Sequence, residues 1–416
     1  MSSLLPRQLH PKVQEALTDT PVVCVLGPRQ VGKSTLCQQI SPERRYLTFD
    51  DHAILTAAQQ DPTGFIQSLP EQVTLDEIQR VPELIQAIKA EIDRNRKPGR
   101  FLLTGSANLL LLPKVKESLA GRVEILHLHP LTELEKEQNE PTFLNALFNG
   151  QLKPNISETQ QEIEGIAERV CQGGYPEPLT RTTNRARQWY RQYLQTIIQN
   201  DVKDVANIRD EDELLRLAEL LALRTANLLN TSSIATDLKM RRETTEKYIS
   251  ILEHLFLVYR LPAWHNNQSK RLVKAPKLHL VDSGLAVFMN NLKPTEWHDF
   301  STDFGPVLES FVIQQIRTQA EWLDEPVRLS HYRDKDQVEV DLVIENGRDV
   351  YGIEVKKAAS IQAKDGEGLK RLAAQAGKHF KGGVLLYCGN NALPLQTERC
   401  IAAPMNWLWQ NDFMKR

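Results

Sequence analysis

Hydrophobic and polar positions along the chain alternate between short apolar runs and amphipathic stretches. The run "PVVCVLG" from residue 21 is compact and β-branched, as expected of a buried parallel strand, and "KSTLCQQI" after it places Leu36 and Ile40 four apart, a helical spacing. Further strand-like runs are "VTL" at 73–75, "RFLLTGSANLLLL" at 100–112 and "VEILHL" at 123–128. Residues 136 to about 160 are polar and irregular, a loop leading into a helical lid. "CQGGYPEPLTR" at 171–181 is too rich in glycine and proline to continue a helix and reads as a turn of that lid. In "RARQWYRQYLQTIIQNDV", Trp189, Tyr193 and Ile197 mark one apolar helical face, a core stripe. From 213, "ELLRLAELLALRTA" is an amphipathic helix, followed by two shorter helical segments and the strands "VYRLPAW" and "KLHLVD". Near the end, "QVEVDLVI" and "RDVYGIEV" alternate on either side of Asn346-Gly347, a hairpin signal. The fold class expected is multidomain α/β.

The first strand opens into "GPRQVGKST". Gly27, Gly32, Lys33 and Ser34 fit the phosphate-loop spacing G-x-x-x-x-G-K-[ST], and the strand before and helix after are the context that motif requires. Gly27, Pro28, Arg29, Gln30, Val31, Gly32, Lys33, Ser34 and Thr35 would cradle the phosphates of ATP. The glycines let the backbone close around them, Lys33 supplies a charge for the β- and γ-phosphates, and Ser34 ligates Mg²⁺. The run 73–75 ends in Asp76 and Glu77, at the strand end where open α/β sheets gather ligands. Asp76 would hold Mg²⁺ through its water shell and Glu77 polarise the attacking water. At the end of the next strand, Thr104, Ser106 and Asn108 can approach the γ-phosphate, with Ser106 favoured; the same residue types also cap helices. Arg122 lies between a helix ended by Gly121 and a strand. There it can stabilise transition-state charge, in cis or across a subunit interface, or simply satisfy helix-end carbonyls.

The set "GPRQVGKST", "TLDEIQRVPEL", "FLLTGSANLLLL", "SLAGRVEILHLHPLTELE" and "GGYPEP" resembles a large prokaryotic family of AAA-superfamily ATPases. Those proteins end in a domain of unknown function that resembles restriction endonucleases. The similarity runs over nearly the whole chain. It implies an AAA-type fold in which Arg122 matches the arginine-finger position before the fifth strand and Ser106 lies in the sensor strand. The expected division is 1–150 for the P-loop ATPase domain, 151–205 for a helical lid, 206–295 for a winged helix and 296–416 for a nuclease-like domain.

Three helices followed by a hairpin is the winged-helix arrangement, with the third helix as major-groove reader. Its start carries Arg241, Arg242, Thr244, Thr245 and Lys247, and the loop "HNNQSKRLVKAP" with the strand after it carries Lys270, Arg271, Lys274 and Lys277 as a basic wing. DNA contact is one expectation. Glu243 and Glu246 interrupt the reading face, and a protein-interaction winged helix is the other.

In the hairpin, alternation puts Glu339 and Asp341 on one face, with Glu354 and Lys356 sharing a face of the return strand. A two-residue turn at Asn346-Gly347 would set Asp341 opposite Gly352 and Glu339 opposite Glu354. Asp341 with Glu354-x-Lys356 resembles the metal-nuclease pattern of the restriction-endonuclease-like fold, in which carboxylates bind Mg²⁺ and the lysine activates water. Glu309, on the amphipathic stretch 304–316, would add a further acid.

Composition narrows the partners. The 416 residues carry a net charge of −2, so any nucleic-acid contact must come from a local basic patch. Five scattered cysteines give no disulfide framework or zinc spacing, and no run is long enough to span a membrane. The expectation is a cytoplasmic, homo-oligomeric, DNA-binding ATPase using ATP and Mg²⁺ in DNA repair, junction remodelling or mobile-element defence. Alternatives are an ATP-regulated, metal-dependent DNA endonuclease, and a nucleotide-gated protein-interaction switch with an inert C-terminal domain.

Overall fold

A computed structural model describes residues 4–41, 43–106, 121–155, 163–202, 208, 210–299, 302–411 and 413. Contacts divide the chain into two units. One comprises 1–130, 192–211 and 249–257, the other 131–191, 212–248 and 258–416. These differ from the four consecutive segments expected, because two stretches of the middle of the chain join the N-terminal unit.

The first unit is built on β1 (Val22–Leu26), β2 (Arg45–Thr48), β3 (Val73–Asp76), β4 (Phe101–Gly105) and β5 (Val123–His127). They form one sheet in the order β2-β3-β4-β1-β5, every pair parallel. β1, β3 and β4 are buried throughout, which is why Val, Leu and Phe dominate them. Val22, Cys24, Leu75 and Phe101 share a core with Ile85, Ile88 and Ile92 of the helix Leu84–Arg94 and with Phe256. Parallel register brings the C-terminal ends of β1, β3 and β4 together, so the loops after Leu26, Asp76 and Gly105 share one edge.

The second unit holds two further sheets. β6 (Asn227–Leu228), β7 (Val258–Leu261) and β8 (Lys277–Leu280) are antiparallel in the order β6-β8-β7. The larger sheet comprises β9 (Arg328–Arg333), β10 (Glu339–Asn346), β11 (Asp349–Lys356), β12 (Phe380–Tyr387), β13 (Leu393–Pro394) and β14 (Cys400–Pro404), in the order β13-β14-β12-β11-β10-β9. It is mixed: β11, β12 and β14 run parallel, while β9, β10 and β11 meander. Leu369 and Leu372 of the helix Glu367–Ala376 close its core against Val340, Val343 and Leu385.

Three local expectations need correction. The hairpin turns one residue later than expected: Asn346 pairs Asp349, and Val343 pairs Gly352. Continuing that register sets Asp341 opposite Glu354, not Gly352. The basic connection between β7 and β8 contains a short helix, Gln268–Val273, capped by Asn267. Gly173-Gly174 belongs to the second unit, where the Gly174 amide donates to Asp282 at 2.6 Å. Asp282 also accepts from Tyr190 at 3.1 Å and caps the helix Ser283–Met289 through the Leu285 amide at 2.8 Å. The turn expected in a lid is thus part of a buried structural joint. Among the described residues no helix is long and apolar enough to cross a membrane.

Candidate functional site

The loop after β1 has the backbone its sequence demands. Gly32 lies in the left-handed region (φ 97°), and a side chain on Gly27 would meet the Leu128 carbonyl oxygen at 2.1 Å. The helix Lys33–Ile40 begins directly behind it, so its free amides face the loop. Lys33 is buried, and its Nζ donates to the carbonyls of Gly27 (3.0 Å) and Pro28 (2.8 Å). Burial pushes its pKa down, against the opposing pull of Glu77 and Asp76. From the N-terminal segment Arg7 donates to the carbonyls of Val31 (2.7 Å) and His129 (2.6 Å), and Tyr193 donates to that of Arg29 (3.3 Å). Neither contact was legible in the sequence, where Tyr193 reads simply as core.

Asp76 is the hub of the edge. Ser34 Oγ stands 3.0 and 3.1 Å from its two carboxylate oxygens, Tyr46 donates at 2.6 Å, and the Thr104 hydroxyl donates to it as well. Burial and this bond to Asp76 push the Tyr46 phenol well above its usual pKa. Glu77, the next residue, takes a left-handed backbone (φ 58°, ψ 44°), uncommon for a non-glycine residue. That conformation turns its carboxylate toward β4, where it accepts from Gln79 and from Ser106 at 3.0 Å. Gln79 also donates to Ser106 at 2.9 Å. The structure therefore gathers Lys33, Ser34, Asp76, Glu77, Thr104 and Ser106, and adds Tyr46 and Gln79. Asn108 lies outside the described residues.

These residues fit ATP and Mg²⁺. The glycine cradle has no room for a side chain at Gly27, Lys33 brings a buried cation, and Ser34 with Asp76 presents the hard oxygen donors that Mg²⁺ takes. Arg122 is elsewhere. It precedes Val123, which pairs Val22 at the start of β1, so it sits at the opposite end of the sheet from the loop. At about 3.3 Å per residue the separation is roughly 20 Å, beyond the reach of its side chain. Its Nε donates to Asp93 at 2.6 Å. A role in cis is excluded by this geometry.

In the second unit, Arg241, Arg242 and Lys247 are exposed at the start of the helix Arg242–His254, whereas Thr245 is buried with its hydroxyl on the Arg241 carbonyl. Residues of the expected basic wing bond to groups of the chain itself, although Lys274 stays exposed. Arg271 makes a bidentate pair with Glu345 (2.6 and 2.9 Å), and Lys274 donates to the Arg333 carbonyl at 3.0 Å. The side chain of Lys270 lies outside the described residues.

Lys277 is the largest departure. Its side chain is 3% exposed and its Nζ lies 2.8 Å from Glu309, 3.1 Å from Glu339 and 3.5 Å from Asp341. Asp341 accepts from the Val355 amide at 2.8 Å, Glu339 pairs Arg333 at 2.8 Å, and Lys356 donates to Glu354 at 3.0 Å. Burial, then Asp341, push the Glu354 carboxyl up to about 8, and the same causes raise Glu309 well above its usual range. Glu309, Asp341, Glu354 and Lys356 do converge as the sequence suggested. The position among the carboxylates holds an ammonium, however, and the set does not fit a divalent ion. Among the described residues no group of three or more acidic, histidine or cysteine side chains could hold a metal.

Comparison with known proteins matches three consecutive segments of the chain. Residues 19–136 match the model of an AAA domain, and residues 163–296 and 304–408 match two domains of unknown function, DUF8612 and DUF4143. An uncharacterized protein of Mycobacterium tuberculosis is 27% identical over 357 residues, covering 85% of this chain and 74% of that one. One from Haemophilus influenzae is 25% identical over 302 residues, 64% and 69% of the respective chains. The Walker-type ATPase of Pyrococcus abyssi aligns at a TM-score of 0.41 with 16% identity, over 69% of this chain and 96% of its own. AMPPCP-bound DnaA of Aquifex aeolicus aligns at 0.24 with 14% identity, over 59% and 86%. Those overlaps are loose, and the assignment rests on the sheet order, the phosphate loop and the domain match. The chain carries an AAA-type P-loop ATPase domain at residues 19–136.

Proposed function

We propose that this chain is a Mg²⁺-dependent ATP hydrolase acting as an oligomeric switch, with DNA as the partner read by its second unit. The hydrolytic part rests on one observation: Asp76 and Glu77 stand side by side at the loop's edge with their carboxylates turned to different partners. The loop amides and Lys33 would hold the β- and γ-phosphates, and Ser34 and Asp76 the ion. Mg²⁺ supplies neutralisation of phosphate charge when bound. Glu77, held by Gln79 and Ser106, orients a water and takes its proton. Thr104 and Tyr46 hold Asp76 in place, so the two neighbouring acids do not exchange roles.

Lys33→Ala should abolish ATP binding. Glu77→Gln should retain it while slowing hydrolysis on the order of a hundredfold or more. Fluorescent-nucleotide binding and steady-state phosphate release measure the two separately, and near-normal turnover in Glu77→Gln would assign the water to another residue.

The three helices followed by β7 and β8, with β6 paired to β8, support the winged-helix reading of the second unit. DNA contact then falls to the exposed Arg241, Arg242 and Lys247 at the helix start, since Arg271 and Lys277 are taken up by Glu345 and Glu309 and the exposed Lys274 is spent on the Arg333 carbonyl. The endonuclease alternative loses ground to Lys277 for the same reason. A role in repair, junction remodelling or mobile-element defence would follow from which DNA form stimulates hydrolysis. Phosphate release measured with single-stranded, duplex and branched DNA tests it.

A further inference from the structure

We infer that Lys277 is the resident cation of the carboxylate cluster formed by Glu309, Glu339, Asp341 and Glu354, and that this cluster works without a divalent metal. The cluster is assembled from three elements of the second unit. Glu309 comes from the helix Gly305–Ala320, Glu339 and Asp341 from β10, and Glu354 from β11. Four acids this close repel one another unless cations lie between them.

Lys277 supplies the central positive charge. Its ammonium has three N–H donors, and the structure gives it three carboxylate partners at 2.8, 3.1 and 3.5 Å. Arg333 and Lys356 take the outward oxygens of Glu339 and Glu354. The cluster is thereby close to charge balance with side chains alone. A Mg²⁺ ion would need oxygens at about 2.0–2.1 Å in near-octahedral array. It could reach that arrangement only after displacing the ammonium.

Displacement is opposed by the backbone. Lys277 begins β8, the central strand of the small sheet, with Leu261 of β7 on one side and Leu228 of β6 on the other. The main chain is pinned on both edges and the side chain is 3% exposed, so the ammonium has no nearby solvent to retreat into. Burial alone would push its pKa down, yet Glu309, Asp341 and Glu339 hold it above the ordinary lysine value, and it stays charged.

One feature of the old pattern persists. The second oxygen of Glu354 is buried with no hydrogen-bond partner, and a side chain on Gly368 would come within 3.1 Å of it. The other oxygen of the same carboxylate is held by the Lys356 ammonium at 3.0 Å, so the cation beside Glu354 is again a side chain. Lys277 ties the small sheet to the large one as the metal would tie carboxylates to one another.

The test uses nucleotide-free full-length protein and Mn²⁺ alone, followed by calorimetry. Wild type and Asp341→Asn should show the same response, with no saturable event assignable to the cluster. Lys277→Ala should gain one, at least about tenfold tighter than any binding by wild type, and Lys277→Ala with Asp341→Asn should lose it again. Should Lys277→Ala not fold, Lys277→Gln keeps the side-chain length and the same expectation. Metal-free thermal unfolding gives an independent reading: Asp341→Asn should lower Tm, because Lys277 loses a partner. A saturable Mn²⁺ event in wild type that Asp341→Asn removes would overturn the proposal. So would a folded Lys277 variant that gains no metal, or a rise in Tm on neutralising Asp341.

Discussion

Glu77 and Asp76 are adjacent in sequence and nevertheless do different work, because one backbone angle separates them. Asp76 ends β3 in extended geometry and faces Ser34, while the left-handed φ at Glu77 swings its carboxylate to β4. A non-glycine residue held there stores strain, and such residues concentrate where function over-determines the backbone. The pair "DE" was legible in the sequence; its division of labour was not, since dihedrals are absent from a residue pattern. Gln79 shows the same gap. In "DEIQR" it reads as one polar residue in a turn, yet its amide bridges Glu77 and Ser106. Its role is positioning. Gln79→Ala should lower kcat about tenfold, the value of roughly one hydrogen bond, and leave ATP affinity unchanged. Gln79→Glu, which keeps the length but opposes charge to Glu77, should be at least as slow. Equal loss of affinity and rate in Gln79→Ala would indicate a collapsed loop and not a misaimed base.

At the scale of elements, periodicity identified β1, β3, β4 and β5 of the parallel sheet, the β10–β11 hairpin of the larger one and the helices before β7, but not β2, β9, β12, β13 or β14. The hairpin existed where Asn346-Gly347 announced it, but the pairing slid, because Asn346 stays in the ladder opposite Asp349. That shift moved Asp341 from Gly352 to Glu354, and only coordinates could make it. The basic connection before β8 failed for a different reason. Charge runs read as solvated until their partners are known, and Glu345, Glu309 and Asp341 are remote in sequence. Arg241, Arg242 and Lys247 are exposed at the start of the helix Arg242–His254. Reversing these three charges should remove most duplex affinity and flatten its dependence on salt, since each phosphate contact releases counterions. Basal ATP hydrolysis should not change. Fluorescence anisotropy across a salt series measures it, and unaltered affinity would transfer the reading to a protein partner.

At the scale of the whole molecule, the ATPase domain has its phosphate loop at one end of the parallel sheet and Arg122 at the other. A single chain cannot use both on one nucleotide. A ring or stack of copies can, if the Arg122 end of one meets the loop end of the next. Arg122 is held meanwhile by Asp93, whose carboxyl is lowered by that hydrogen bond. An arginine of this kind stabilises charge that develops in the transition state, so its loss should cost rate and spare affinity. Arg122→Ala should therefore bind ATP normally and hydrolyse it slowly, and Lys33→Ala should do neither. Mixed together, the two variants create interfaces where an intact Lys33 site faces an intact Arg122. Partial recovery of phosphate release in the mixture is expected, rising and falling with the ratio of the two proteins. Size-exclusion light scattering on the same mixtures establishes that they assemble. Assembled mixtures without recovery would confine Arg122 to its pairing with Asp93, and the oligomeric switch would need a different source of transition-state charge.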